Sequence, residues 1–304
     1  MWLWLWLCAV AAAVLWRWQR ERQMVGQLHN RFVLITGCDS DFGHLLATQL
    51  DQCGLRVLAA CLTERGAERL QREVSRRLRI VLLDVTRPES VRAAAWWAQE
   101  TVGERGLWGL VNNAGIANPV TPNEWLTKED FAKVLDVNLL GLIDVTLNPL
   151  PLVKRARGIP QWPRRGVAGR WRSSHLPHPL LPPSPAHLCS REILPLGVKG
   201  VLIEPGHFQT PILDPMAVED NLRQAIRMIE KWSNSNLTLV TSCIAHALTS
   251  RHPRIRYSAG WDAKLIYLPL SYLPTSLVDQ LVLWEKGKLS LGRPLGGGEL
   301  SVWL

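Results

Sequence analysis

From residue 31 to residue 150 the chain alternates between short runs of branched apolar residues and longer runs with helical spacing, and this alternation constrains its fold most. "RFVLITG" reads as a buried strand, and "FGHLLATQLDQCG" as an amphipathic helix closed by Gly54. "LRVLAACL" is a second strand and "RGAERLQREVSRRL" a helix with a polar face. "RIVLLDVT" gives a third strand, followed by the helix "PESVRAAAWWAQETVG" with Pro88 in its first turn. "LWGLVNNAG" is a fourth strand running into a turn, and "TKEDFAKVLDVNLLGLIDVTLNPL" one long helix. Strands separated by helices return to the same edge and pair in parallel, so a doubly wound α/β sheet covered on both faces is expected. Such sheets bind ligands at the carboxyl ends of their strands, which places the site near Gly37, Asp84 and Asn113.

The segment at 159–195 breaks the rhythm. It holds eight prolines in 37 residues and shows neither period two nor period 3.6. Proline removes a backbone donor and fixes φ, so neither a central strand nor a long helix is expected there, and the sheet should be disrupted over 159–190. After it, "LGVKGVLIEPGHFQTPI" resumes as a strand ending in a Pro-Gly turn. "AVEDNLRQAIRMIEKW" and "NLTLVTSCIAHALTSRHP" read as helices, and residues 285–304 as a loose tail.

Residues 1–16, "MWLWLWLCAVAAAVLW", carry no charge and are followed by "RWQRER". As a helix, sixteen to eighteen residues cover about 24–27 Å, just short of a hydrocarbon core of roughly 30 Å. Tryptophans at both ends suit an interface, and the basic flank suits a cytosolic side. The expected organisation is a membrane anchor over 1–18, a nucleotide-binding half over 30–158, an aberrant Pro/Arg-rich segment over 159–190, the rest of the sheet with a substrate- or membrane-associated part over 191–284, and a tail. Of the formal net charge of +9, residues 159–195 supply four with five arginines against one glutamate. Without helical spacing this reads as a solvated loop, so no nucleic-acid partner is expected. The six cysteines form no CxxC pair or metal-like spacing and read as reduced, mostly buried thiols.

"LITGCDSDFG", "LLDVT", "LVNNAG", "LDVNLLG" and "IEPGHFQT" occur in the order in which short-chain dehydrogenase/reductases carry their motifs. "HPRIRYSAGWDAKLIYLPLSYLPTSLVD" resembles more narrowly the membrane-bound retinol and hydroxysteroid dehydrogenases. The resemblance covers roughly residues 1–158 and 191–284 and implies a Rossmann-like sheet. It implies a cofactor site of Thr36, Gly37 and Gly43 at the pyrophosphate, Asp84 and Val85 at the adenine, Asn112, Ala114 and Gly115 beside the ribose, and Pro205, Gly206 and Thr210 at the nicotinamide. NAD is expected ahead of NADP. Implied partners are a retinoid or steroid alcohol, membrane lipid and a second copy of the chain, at the endoplasmic reticulum membrane with the main domain cytosolic. Asp41 stands where the family loop has a glycine, and is expected to obstruct the turn and repel the pyrophosphate.

Of the family's Asn, Ser, Tyr and Lys, only Asn138 is matched, and it is the one catalytic residue implied. Tyr257, Tyr267 and Tyr272 lie far downstream of the family position, and none has lysine four residues on. Ser173 and Ser174 lie in the aberrant segment and are not assigned. The expected function is a nicotinamide-dependent oxidoreductase of retinoid or steroid alcohols. The alternative is an inactive relative, a splice or frameshift product that keeps nucleotide, lipid or partner binding. A glycosylation sequon at Asn236-Leu237-Thr238 would be unused in a cytosolic domain.

Overall fold

A computed structural model describes residues 2–117, 126–156, 165–170, 198–210, 233–274 and 276–280; for 165–170 it describes the backbone. Seven parallel strands, β1 Phe32–Thr36, β2 Arg56–Cys61, β3 Arg79–Leu82, β4 Gly109–Asn112, β5 Arg165–Arg170, β6 Val198–Pro205 and β7 Arg256–Ala259, form one sheet in the order β3-β2-β1-β4-β5-β6-β7. The order reverses between β1 and β4, where crossovers diverge and leave a crevice at the carboxyl edge.

Both faces are covered, which explains why all five residues of β1 are buried. Val33 and Ile35 point to the face covered by α2 (Asp41–Gln52) and α8 (Thr238–Thr249), packing with Phe42, Leu46, Leu50, Ile244 and Leu248. Phe32 and Leu34 point to the other face, with Val91, Ala94 and Ala98 of α4 (Pro88–Val102) and Leu152 and Val153 of α7 (Leu150–Arg155). Each valine, leucine, isoleucine or phenylalanine among them contributes about 1.5–3 kcal/mol on burial. A polar helix, α3 (Glu64–Glu73), is capped by Thr63, whose hydroxyl accepts the Gly66 N–H at 3.0 Å.

The expected disruption of the sheet is corrected. β5 lies within 159–190, pairing with β4 through Leu110–Val167 to Asn112–Gly169 and with β6 over six residues. The reason is local. Between Pro163 and Pro177 the chain is free of proline, and "RGVAGR" has small residues that accept extended backbone. The open backbone edges of β4 and β6 supply the pairing that side-chain periodicity does not. A second departure is β7, a four-residue strand read in the sequence only as part of a family-like stretch. The expected long helix is broken internally: α5 (Lys128–Leu135) passes through a π-helical turn, Asp136–Gly141, into α6 (Leu142–Leu147).

At the N-terminus, α1 runs from Trp2 to Glu21 as a helix. No helix among the described residues is long and apolar enough to cross a membrane. From Trp2 to Trp16 the apolar stretch covers about 22 Å. Its last turn is fixed to the domain. Glu21 pairs with Arg254, whose Nε donates to Oε1 at 2.9 Å, and the Glu21 carbonyl accepts from His246 Nε2 at 2.8 Å. Because that carbonyl can only accept, the His246 Nε2 carries a proton, and in the neutral ring Nδ1 accepts from the Tyr257 hydroxyl at 2.7 Å. Cys38 and Cys61 are buried, whereas Cys8 and Cys53 are exposed, so the expectation of mostly buried thiols holds for only part of the set. The sequence-predicted helix at 217–232, the tail and Ser173 and Ser174 lie outside the described residues.

Candidate active site at the carboxyl edge

The turn after β1 is built by bare backbone. Gly37 has φ +68°, and a Cβ there would stand 2.8 Å from the Ala114 Cα. A Cβ on Gly43 would collide with the Gly37 carbonyl, so the chain closes on itself at the start of α2. Thr36 is buried, and its hydroxyl accepts the N–H groups of Asn113 and Ala114, each at 3.0 Å. Asn113 Nδ2 donates to the carbonyls of Thr36 and Gly37, both at 3.0 Å. Thr36, Gly37, Gly43 and Ala114 are thus brought together, and Asn113, placed near the site by the strand pattern but given no contact there, is the stitch between them. Gly115 sits over Asn138, with the position of a Cβ 3.2 Å from Asn138 Oδ1.

Asp41 takes φ +53°, a left-handed conformation that glycine adopts more freely. The Ser40 hydroxyl donates to the Asp41 carboxylate at 3.1 Å and makes no cap to α2, so the first amides of α2 have no side-chain partner from Ser40. The turn therefore forms despite the acid. Asp39, unremarked in the sequence, does more. Its carboxylate accepts from Leu62 N at 2.7 Å, Thr63 N at 2.9 Å and Thr63 Oγ1 at 2.8 Å. The end of β2 carries no acid of its own before Glu64, and Asp39 puts one there from the glycine turn. Gly66 must be bare, because a Cβ would collide with that carboxylate.

Asp84 caps its own turn, accepting from Thr86 N at 2.9 Å and Thr86 Oγ1 at 2.7 Å. Val85 packs behind it, and a Cβ on Gly141 would lie 2.8 Å from the Val85 carbonyl. Asn112 is buried, donating to Thr146 Oγ1 at 2.8 Å and leaving its Oδ1 without a partner. Asn138 lies in the π-helical turn, exchanging two hydrogen bonds with the backbone of Ile116 at 2.8 and 2.9 Å. Its amide holds the turn after β4 rather than standing free, a role legible only in three dimensions. The π turn rotates Asn138 out of the helical register, a distortion common at functional sites.

The turn after β6 brings Pro205, Gly206 and Thr210 to the same edge, tied to the glycine turn by Phe208 against Phe42 with ring centroids 5.6 Å apart. Thr210 Oγ1 is buried without a partner. Gly206 is bare for a further reason, since a Cβ would collide with Asp262, which also presses on Gly260 at φ +100°. Asp262 is buried and accepts the His207 N–H at 2.5 Å. The Tyr267 hydroxyl stands 3.0 Å from His207 Nδ1. Tyr257 is at the other end of β7, buried, its hydroxyl occupied by His246 and Arg254 N, and burial pushes it up to about 12. Among the described residues no group of three His, Cys, Asp or Glu could hold a metal.

These features define a doubly wound α/β domain with a glycine turn at the switch point. A family model for short chain dehydrogenase matches residues 31–159. Rat retinol dehydrogenase 7 is 48% identical over 297 residues, covering 88% of this chain and 93% of that protein. Human retinol dehydrogenase 16 is 48% identical over 290 residues, covering 87% and 92%. Human 17-beta-hydroxysteroid dehydrogenase type 6 is 47% identical over 294 residues, covering 88% and 93%. A short-chain dehydrogenase from Streptomyces avermitilis superposes with a TM-score of 0.64 at 20% identity, covering 85% of this chain and 97% of its own. The chain belongs to the short-chain dehydrogenase family, in its retinol and hydroxysteroid dehydrogenase branch.

Proposed function

We propose that the chain is a nicotinamide-dependent oxidoreductase that interconverts a retinoid or steroid alcohol and its carbonyl. The observation that carries this is the glycine turn, in which Gly37, Gly43, Asn113 and Thr36 lock a backbone cradle at the head of α2. A pyrophosphate fits such a cradle, because amides at a helix start point outward and the helix dipole favours negative charge. Thr210 and Asn112 offer buried polar atoms still without partners, consistent with a ligand at that edge. A nicotinamide dinucleotide, when bound, supplies the hydride acceptor. Thr36, Gly37 and Gly43 would hold its pyrophosphate, Asp84 and Val85 border the adenine, Asn112, Ala114 and Gly115 the ribose, and Pro205, Gly206 and Thr210 the nicotinamide. Asp39 supports NAD over NADP, since a carboxylate at the end of β2 attracts ribose hydroxyls and repels a 2′-phosphate. Asn138 acts as a positioning residue, fixing the turn after β4.

The substrate class follows the names of the relatives. Exposed Trp2, Trp4 and Trp6 on α1, and exposed Trp261, Leu265 and Tyr272 near the site, suit a lipid surface and a greasy alcohol. Membrane association at the endoplasmic reticulum, a cytosolic domain and self-association belong to this proposal. The inactive-relative reading drew on the unmatched Ser, Tyr and Lys and on an interrupted sheet; β5 answers only the second of these grounds. The test is calorimetric titration of the purified chain with NAD and with NADP, followed by NADH formation from all-trans-retinol and a 3α- or 17β-hydroxysteroid. NAD binding with NADH formed is expected; absence of binding to either dinucleotide refutes the proposal, and binding without NADH from any of these alcohols favours the inactive relative.

A further inference from the structure

The family's tyrosine and lysine are absent from this chain, yet a phenol stands at the same edge of the sheet. Tyr267 closes a π-helical turn, Ala263–Tyr267, and its hydroxyl meets His207 Nδ1 at 3.0 Å. The rings are tilted at 48° with centroids 5.5 Å apart. Behind the imidazole, Asp262 holds the His207 backbone N–H at 2.5 Å, and its Oδ2 lies 3.5 Å from His207 Nδ1. The other oxygen, Oδ1, is buried with no hydrogen-bond partner. A buried carboxylate with an unpaired oxygen is costly unless a positive charge forms nearby. Gly206 and Gly260 are both bare where Asp262 sits, so two turns of the chain make room for this one acid. The imidazole itself is 45% exposed and opens to the carboxyl edge. β6 and β4 are two strands apart, so His207 and the Asn138-held turn lie on the order of 10 Å from each other. Trp261 and Leu265, close to Tyr267 in the chain, are exposed.

We infer that Tyr267, His207 and Asp262 form a proton relay that serves alcohol oxidation in this chain, with Tyr267 as the acid–base group, His207 as its proton partner and Asp262 as the residue that positions and balances His207. The inference rests on the function proposed above. Oxidation removes a hydride from the alcohol carbon, taken up by the nicotinamide dinucleotide, and a proton from its oxygen. The substrate O–H bond breaks as the Tyr267 oxygen takes that proton. The original Tyr267 O–H bond breaks as His207 Nδ1 takes its proton, and the imidazolium, balanced by Asp262, gives up one proton to water and returns to the tautomer with Nδ1 unprotonated. The sum is alcohol plus oxidised nicotinamide giving carbonyl, reduced nicotinamide and one proton. Reduction runs the same steps backward.

The test compares wild-type chain with Y267F, H207Q and D262N. General acid–base groups contribute about 10²–10⁴-fold, so Y267F and H207Q should lower kcat at least 100-fold, with KM and the NAD dissociation constant within twofold of wild type. Independently of turnover, ¹⁵N-histidine NMR of the cofactor-free protein should show an unprotonated His207 Nδ1 whose resonance moves in Y267F and D262N. Variants that bind NAD and keep more than half of kcat overturn the relay while leaving the proposed function intact. A wild-type chain that binds NAD but forms no NADH also overturns it. Failure to bind NAD defeats the proposed function itself. A His207 Nδ1 resonance unmoved in Y267F overturns the relay irrespective of activity.

Discussion

Asp41 and Gly43 stand two residues apart in the glycine turn and have opposite mutational signs. For Asp41 the left-handed φ costs about 1 kcal/mol, and glycine would relieve it but adds a comparable unfolded-state entropy. Stability should therefore change little in D41G. What remains is charge: removing a carboxylate beside the pyrophosphate cradle should tighten NAD binding about tenfold, equal to about 1.4 kcal/mol, by calorimetric titration. In G43A the added methyl meets the Gly37 carbonyl and the Asn113 amide, so NAD binding should be lost together with a drop in melting temperature. At this scale the sequence was legible where backbone demands a residue type, as at Gly37 and Gly43. It was silent where a side chain acts across the chain. Asn113 reaches Gly37 over 76 residues and His207 meets Tyr267 over 60, and no local period encodes either pairing. Asp39 hid for the same reason, its work being done at Leu62 and Thr63.

Among elements, α1 is joined to the domain through a charge that can be titrated. Two arginines, Arg254 first and Arg17 with it, hold the Glu21 carboxyl down at about 2 against an ordinary value of 4.5. A depressed carboxylate stabilises above its unfolded value, and that contribution fades as pH falls from 4.5 toward about 2. E21Q should thus lose about 1–2 kcal/mol at pH 7, allowing for solvent screening, and the gap to wild type should shrink steadily below pH 4.5 in denaturant unfolding series. Strand legibility followed side-chain content. β1, β2 and β4 showed as runs of branched apolar residues, because both sheet faces are covered. β5 did not, since "RGVAGR" has one branched apolar residue and proline-rich flanks; its neighbours' open edges specify it. The π turn at Asp136–Gly141 keeps helical spacing on both sides and left no mark in the pattern.

On the scale of the whole molecule, α1 grips the amino edge of the sheet through Glu21, Arg254 and His246, whereas the glycine turn and Tyr267 occupy the carboxyl edge. The proposed membrane contact and the proposed chemistry thus lie at opposite edges and should be separable. Replacing Trp2, Trp4 and Trp6 with serine should abolish co-sedimentation with phosphatidylcholine–phosphatidylserine vesicles while leaving kcat with detergent-dispersed retinol within twofold. In cells the Asn236 sequon should remain without sugar, and endoglycosidase treatment should not shift the band of the full chain. The side chain of Asn236 already accepts from Thr238 N at 3.1 Å at the head of α8.

The middle of the sheet carries one further consequence. Between its two arginines β5 has two glycines, one alanine and one valine, so it contributes little apolar grip and is held by main-chain bonds to both neighbours. Under mechanical or thermal load the molecule has a seam there, and it should part into a half bearing the glycine turn and a half bearing His207 and Tyr267. Hydrogen exchange should find the amides of Val167 and Ala168 opening before those of Val33 and Ile35, with each half still folded when they do.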